Sequence, residues 1–419
     1  MVRQREEPTV TAAPEIIDDA VFFTPEFLED PYPTYHVLRR TDPVRYVEPM
    51  KAWFLTRAAD VKTGYSDDRF VLAYERYQVN RMGPTALEQA YFKFGREFLA
   101  LSDPPEHTKL RRIFRQPFTP KLVREMAPAV EGYAREYLDA AIESGGVELV
   151  HDFAGPVPRR VLQVLLDIPP ADEEMIFGWV EVFYQALEAP PMTADQLRET
   201  NAATRESEEY FTALVRRRRA RPGTDFVSDL VAINDADDEP MTDLQIAANL
   251  HLLYFAGFDT QKLTFSNMVA ALAKHPDALR HLSEDPARIP DAMPELFRWD
   301  PAGHMLGRTA SEDIDLGGTV IPAGDTVLVC TGAAARDPEV FPDPDRFDLH
   351  RPPADDLMRY MIFGAGRHHC LGSAQVHLNL PVMLKVLLER LPDFGVDWDA
   401  AVRHPSLASR GYDHLPLVW

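Results

Sequence analysis

One segment limits the folds open to this chain more than any other. Thr242 can cap a helix with Gln245 three residues on, a reciprocal capping pattern. The helical pattern then runs to Lys274, where His275–Pro276 stops it. At about 33 residues and 1.5 Å per residue this is ~50 Å, enough to cross a whole globule. Its middle, Ala247–Phe258, is nearly all apolar, as a buried helix should be. Yet at its centre stands Ala256-Gly257-Phe258-Asp259-Thr260. Gly, Asp and Thr are mediocre helix formers, and a buried Asp is costly unless it has work or a partner. Two readings stand: two helices joined at a glycine break, or a loosened turn whose freed carbonyl and acid–alcohol pair face a reaction centre.

The rest of the chain surrounds that helix with others. Thirty-six prolines in 419 residues, well above the usual ~5%, predict many helices with sharp ends. From Asp103 to Lys274 the 3.6-residue period dominates, with stops at Pro117, Pro120, Pro156, Pro169–Pro170, Pro190–Pro191 and Pro222. Strand patterns fall at Ala52–Leu55, Gly318–Ile321, Thr326–Cys330 and the tail Leu417–Trp419, and an irregular stretch at Arg336–Pro353. A last helix covers roughly Leu371–Leu391. The expectation is a mainly α, α+β fold. The run Arg216–Arg219 at a helix end reads as cations stabilising a C-terminus, or as a basic docking patch.

The formal charge of −22 excludes a nucleic-acid binder, which needs a surplus of Lys and Arg. No apolar run approaches the ~18 residues of a membrane span, and the polar first twenty residues carry no export signal. Two cysteines, Cys330 and Cys370, suit a reducing compartment. A cytoplasmic protein is expected.

The second informative segment is Phe363-Gly364-Ala365-Gly366-Arg367-His368-His369-Cys370-Leu371-Gly372. Its glycines allow a tight turn close to something flat or bulky. Cys370 then lies at the start of a helical segment, where the thiolate, the metal-binding form, is favoured. Zinc fits poorly, since His368, His369 and Cys370 are too close together to wrap a tetrahedron. Covalent haem attachment would need C-x-x-C-H, which is absent. An axial thiolate to haem iron suits the loop; a buried structural cysteine is the plain alternative.

This loop resembles the haem-binding signature of the cytochromes P450, F-G-x-G-x-H-x-C-x-G, at every specified position. Other landmarks of that family follow in order. Asp103–Arg112 looks like its C helix, Ala256–Thr260 its oxygen-activating motif, Glu295-Leu296-Phe297-Arg298 its E-x-x-R element, and Pro344–Phe347 its meander. The resemblance spans about Asp30 to the C-terminus. It implies an N-terminal extension (1–29), then one triangular, mostly helical catalytic domain (30–419) with a small β-rich region. Haem would lie between the long central helix and the cysteine loop.

Carried onto this sequence, the resemblance makes Cys370 the proximal thiolate and the only metal ligand. His107, Arg111, Arg308 and His368 would meet the propionates of haem b (iron protoporphyrin IX), and Phe363, Gly364 and Gly372 would shape the cofactor loop. Asp259 and Thr260, with Ala256 and Gly257, would handle protons for O2, the co-substrate. Glu295, Arg298 and Arg346 would form a structural ion-pair network. Tyr91, Phe92, Leu252, Phe255, Ala256, Gly303, His304, Met305 and Tyr412 are candidates for the substrate wall; Tyr74, Tyr77, Phe94 and Phe98 add to an aromatic segment that is a lid or simply a packed loop. The implied activity is hydroxylation or epoxidation of a hydrophobic small molecule (terpenoid, steroid, polyketide or other secondary metabolite). Ferredoxin and ferredoxin reductase, fed by NAD(P)H, would supply electrons to a monomer that needs neither nucleic acid nor membrane. Oxidative coupling or ring closure, and a non-catalytic haem-thiolate sensor or carrier, are the alternatives.

The chain departs from the family pattern at Gln261, at Ala335, and at Gln375, Val376, His377, Asn379 and Pro381 after the cysteine. That last group falls on a surface that often meets the electron donor. Lys109, Arg112, Arg115 and Arg367 are expected to form a local basic patch there.

Overall fold

The computed structural model describes residues 17–188, 192–352 and 362–419. Thr242 and Gln245 cap the long helix reciprocally: the Gln245 amide donates to Thr242 Oγ1 (3.1 Å) and the Thr242 amide to Gln245 Oε1 (3.0 Å). The helix runs unbroken over Asp243–Lys274, which overturns the reading of two helices joined at Gly257. Side chains reinforce the weak turn. Thr260 Oγ1 donates to the Ala256 carbonyl (2.8 Å), and Gln261 Nε2 to that of Gly257.

Two separate cores grip this helix. Its first half, Ile246 to Phe258, packs with the helices Pro156–Leu165, Glu173–Glu188, Ala194–Ala220 and Phe226–Asp235. Its second half, Phe265 to Leu272, packs with Pro120–Glu143, Ile289–Trp299 and Ser373–Arg390. Between the cores lie Asp259, Thr260, Gln261, Lys262 and Thr264, so the polar break in the apolar stripe coincides with the gap between two hydrophobic bodies.

Small sheets flank the helices, giving the mainly α fold. The largest runs Val44–Val47, Ala52–Leu55, Thr326–Cys330, Met305–Ala310, Phe70–Val71 in spatial order. Only the pair Ala52–Leu55 and Thr326–Cys330 is parallel. The tail, Pro416–Val418, inserts between Val147–Glu148 and Gly395–Val396. Pro120 and Pro156 open helices rather than end them, because a first-turn residue has no amide bond to lose. The last helix begins at Ser373, with Gly372 as its N-cap and Pro381 inside it. The arginine run is no free patch: Arg216 pairs with Asp243 (3.3 Å), Arg218 with Asp225 (3.0 Å) and Arg219 with Asp235 (2.8 Å).

Candidate active site

Gly364 and Gly366 adopt φ of +66° and +65°, a region costly for any residue with a Cβ. At Gly366 a Cβ would also come within 2.9 Å of the Tyr65 carbonyl. The turn closes where the Cys370 amide donates to the Phe363 carbonyl (2.7 Å). The Phe363 ring packs on Phe297 and His377, at 5.8 and 5.1 Å between centroids. Burial pushes the Cys370 thiol up, while the amides of Gly372 and Ser373 and the Arg111 cation pull it back toward the thiolate. Cys370 therefore stands just before the last helix, aimed at by its first free N–H groups, and not inside it. The other thiol, Cys330, is fully buried and raised by that burial, with no cation among the causes.

Around this loop gathers a set of donors rich in cations, with Asp103 the one carboxylate that acts on His107 and Arg308 among the described residues. Arg111 donates to the His369 carbonyl (2.6 Å), and the His107 and His368 rings lie 4.2 Å apart. Burial first, then His107, Arg308, Arg367 and Arg111, lowers the pKa of His368 to about 3. Arg308 is buried, yet among the described residues neither it nor Arg111 has a carboxylate ion-pair partner, and the buried His107 Nε2 has no hydrogen-bond partner. One buried arginine, one half-buried arginine and two imidazoles, with Asp103 acting on Arg308 and His107 but ion-paired to neither arginine, are a recess for an anionic group. The dicarboxylate edge of a haem fits that donor set, with a sulfur beside it of the type that ligates iron.

On the central helix, Leu252, Phe255, Ala256 and Thr264 are only partly buried and Thr260 is exposed, although the helix runs through the middle of the molecule. Residues four apart share a face, so these positions mark one open stripe. Thr260 gives its proton to Ala256 and keeps oxygen lone pairs free. Asp259, buried, pairs with Lys262 Nζ at 2.6 Å. Gly257 points elsewhere: a Cβ there would meet Leu162 Cδ1 at 2.9 Å, so its smallness serves helix packing.

Several wall candidates sit away from this stripe. His304 is buried between the Tyr32 and Tyr35 rings and lies against Gly332, and Met305 joins the same cluster. Strand alternation explains the miss: Leu306 shares the face of Arg308, Met305 does not, and Leu306 is exposed. Tyr412 packs in the second core under the Arg403 guanidinium (4.1 Å), its amide on Ser266 Oγ. Ser409 is the tail residue that reaches inward. It bridges to Gly303 and accepts the Tyr184 hydroxyl (2.9 Å), whose ring lies on Phe255 (4.5 Å). Tyr184 and Ser409 carried no sequence signal. Tyr91 and Phe92 are buried with Tyr74, Phe94, Phe98 and Phe183 in a packed roof cluster, and Tyr77 stays outside it. Asn249 fastens that roof, bonding the Leu99 amide (2.7 Å) and the Glu97 carbonyl (2.8 Å).

The ion-pair network differs by one residue from expectation. Arg298 forks onto Glu295 (2.6 and 2.7 Å) and donates to the carbonyls of Ala335 and Pro344. The second cation on Glu295 is Arg351 (3.1 Å). Arg346 contributes only its carbonyl, because the turn closed by its amide on Asp343 sends its guanidinium to solvent and Asp348. The expected basic patch is largely neutralised: Arg112 pairs with Asp237, Arg367 with Asp68 and Lys109 with Glu106. Gln375 and Asn379 face inward, 6% and 1% exposed, so neither meets a partner. Asn379 instead donates to Gln261 Oε1 (2.9 Å).

A cysteine in a glycine loop, a cationic recess whose arginines lack carboxylate ion-pair partners among the described residues, and an alcohol on a buried helix are the parts of a haem-thiolate type of protein. The family model for cytochrome P450 matches residues 44–289 and 289–392, and the chain belongs to that family. It is a cytochrome P450 monooxygenase. The chain is 33% identical to cytochrome P450 monooxygenase PikC of Streptomyces venezuelae, over 99% of its length and 97% of that protein's. To 6-deoxyerythronolide B hydroxylase of Saccharopolyspora erythraea it is also 33% identical, over 97% and 99%. Its fold matches that of P450BioI, solved in complex with hexadec-9Z-enoic acid ligated acyl carrier protein, at a TM-score of 0.85 and 28% identity, covering 94% and 99% of the two chains. None of the described helices is long and apolar enough to cross a membrane.

Proposed function

We propose that this chain hydroxylates or epoxidises a hydrophobic natural-product scaffold, using O2 at a haem b held by the Cys370 thiolate, with electrons from a ferredoxin-type donor. The observation that carries this reading is the pairing of an amide-supported sulfur with a cluster of two histidines and two arginines, neither arginine ion-paired to a carboxylate among the described residues. Arg111, Arg308, His107 and His368 would take the propionates. The haem, when bound, supplies oxygen binding and electron transfer, and the protein orients and controls.

The chain's own residues do the rest. The Gly372 and Ser373 amides and Arg111 offset part of the burial that raises the Cys370 thiol, and so ease its conversion to the thiolate that iron would take. Leu252, Phe255, Ala256 and Leu306 offer an apolar wall, and the Tyr184–Ser409 hydroxyls one polar edge. With its own proton on Ala256, Thr260 accepts a hydrogen bond from an incoming donor and fixes it in place. Asp259 can relay a proton once it parts from Lys262. The names of the relatives, one a 6-deoxyerythronolide B hydroxylase, support a biosynthetic substrate.

After reduction with dithionite, carbon monoxide should give a strongly red-displaced absorption that Cys370→Ser abolishes; a spectrum untouched by the substitution would overturn the ligand assignment. Thr260→Ala should raise hydrogen peroxide released per product formed, and an unchanged ratio would remove Thr260 from proton handling. Labelled O2 then separates oxygen insertion from coupling or ring closure by product mass.

A further inference from the structure

Outside the cysteine loop, a second donor cluster is made by residues to which this chemistry assigns no role. Glu148 ends the short strand Val147–Glu148, His151 lies in the turn that follows, and His414 closes the strand Tyr412–His414. One carboxylate indexes both histidines. Glu148 Oε2 accepts the amide of His151 (2.7 Å), and Oε1 accepts the amide of Leu415, the residue after His414 (2.5 Å). The Glu148 amide is itself held by Asp152 Oδ2 (2.8 Å). The two imidazole rings meet edge-on, 4.8 Å apart at 64°, and among the described residues no hydrogen bond is made by a ring nitrogen of either. One ligand atom from each of the three residues lies within 4.8 Å of the other two, the one such group among the described residues.

We propose that Glu148, His151 and His414 form a binding site for a divalent transition ion, zinc being the best fit. Two imidazoles and a carboxylate with a fourth position left to water are a recurrent zinc donor set. Tetrahedral zinc at ~2.1 Å brings its ligand atoms to about 3.4 Å from one another. The two rings are exposed and can rotate through that closure, while the carboxylate is already oriented by two backbone amides, as outer partners orient metal ligands. Imidazole and carboxylate rank zinc, nickel and copper above magnesium. The bound ion would join three elements: the turn at Val150–Ala154, the Val147–Glu148 strand and the C-terminal hairpin. That hairpin rests on the central helix, with Gly411 against Leu263 and the Tyr412 amide on Ser266. The ion would therefore fasten the hairpin that packs on the Thr260 helix to the Val147–Glu148 strand and the turn after it.

The test uses full-length, haem-loaded protein freed of adventitious metal by chelator. Titration with zinc chloride alone, followed by calorimetry and metal analysis, should give one equivalent per chain and raise the thermal midpoint. His151→Ala and His414→Ala should each weaken that binding at least about tenfold and remove the thermal gain. Both variants should keep the reduced carbon monoxide spectrum, which shows that they fold. Magnesium chloride alone should do nothing. The proposal fails if wild-type protein takes up no stoichiometric zinc, if both variants bind it as tightly as wild type, or if magnesium binds equally well.

Discussion

Neutralising Glu295 should be among the most damaging isosteric changes in the molecule. Its two oxygens take four donors: Arg298 Nε (2.6 Å) and Nη2 (2.7 Å), Arg351 Nε (3.1 Å) and the Asp348 amide (2.8 Å). In Glu295→Gln one oxygen becomes an NH2 facing donors, so at least part of that set loses its acceptor. The Arg298 side chain, 0% exposed, is left as a buried cation. Stranding a buried charge costs about 3–5 kcal/mol. Arg351→Met removes one charged bond to Glu295 and three solvent-exposed ones to the carbonyls of Pro342, Asp343 and Arg346, which water can replace, and leaves Glu295 paired with Arg298; it should cost only about 1.5–3 kcal/mol. Arg346→Ala touches an exposed guanidinium and should stay within about 0.5 kcal/mol. Urea unfolding of the three variants and wild type, followed by far-ultraviolet circular dichroism, reads the order directly. If Glu295→Gln costs less than Arg351→Met, or if Arg346→Ala proves as harmful as either, the assignment of the buried partners is wrong.

Other consequences follow from the site and the cores. Arg308→Leu deletes a buried cation that has no protein counter-ion; losing one charge-assisted bond of about 1.5–3 kcal/mol should weaken haem retention roughly ten- to hundredfold, measured as haem transfer to an acceptor protein. His251 is fully buried among the Phe94, Phe98, Phe183 and Phe211 rings, its Nδ1 on Ser207 Oγ, and burial lowers its pKa to about 3. The unfolded chain takes up that proton near 6.5, so stability is full above pH 6.5 and falls as pH drops toward 3. At pH 5 the loss from this residue is about 2 kcal/mol. His251→Leu should therefore lose about 2 kcal/mol less than wild type between pH 7 and pH 5 in urea unfolding; an equal loss would place the acid sensitivity elsewhere.

What the sequence made legible was local. The capping pair Thr242–Gln245, the stop at His275–Pro276 and the glycine turn before Cys370 all rest on interactions within a few residues, and each stands where the pattern put it. Residues whose placement depends on which way a strand or turn faces were harder to read. Met305 and Tyr412, expected at the substrate wall, pack into the cores, while Leu306 and Ser409 nearby are more open. Arg351, and not Arg346, is the second cation on Glu295, because the turn sends the Arg346 guanidinium to solvent. Tyr184 was invisible for another reason: its contacts, Phe255 and Ser409, are set only when three distant elements meet. Gln375 and Asn379 read as surface because their neighbours in sequence departed from a pattern, while the helix turns both toward the core.

The amide pair Gln261–Asn379 has a consequence for how the enzyme is wired. Gln261 holds the Gly257 carbonyl on one side and the Asn379 amide on the other, so the helix behind the cysteine and the turn beside Thr260 share a neutral rivet. Neither amide side chain titrates, so the tie between the two helices holds without any charge being involved. Such a link ignores ionic strength and acidity alike, and only a change of shape at either end can loosen it.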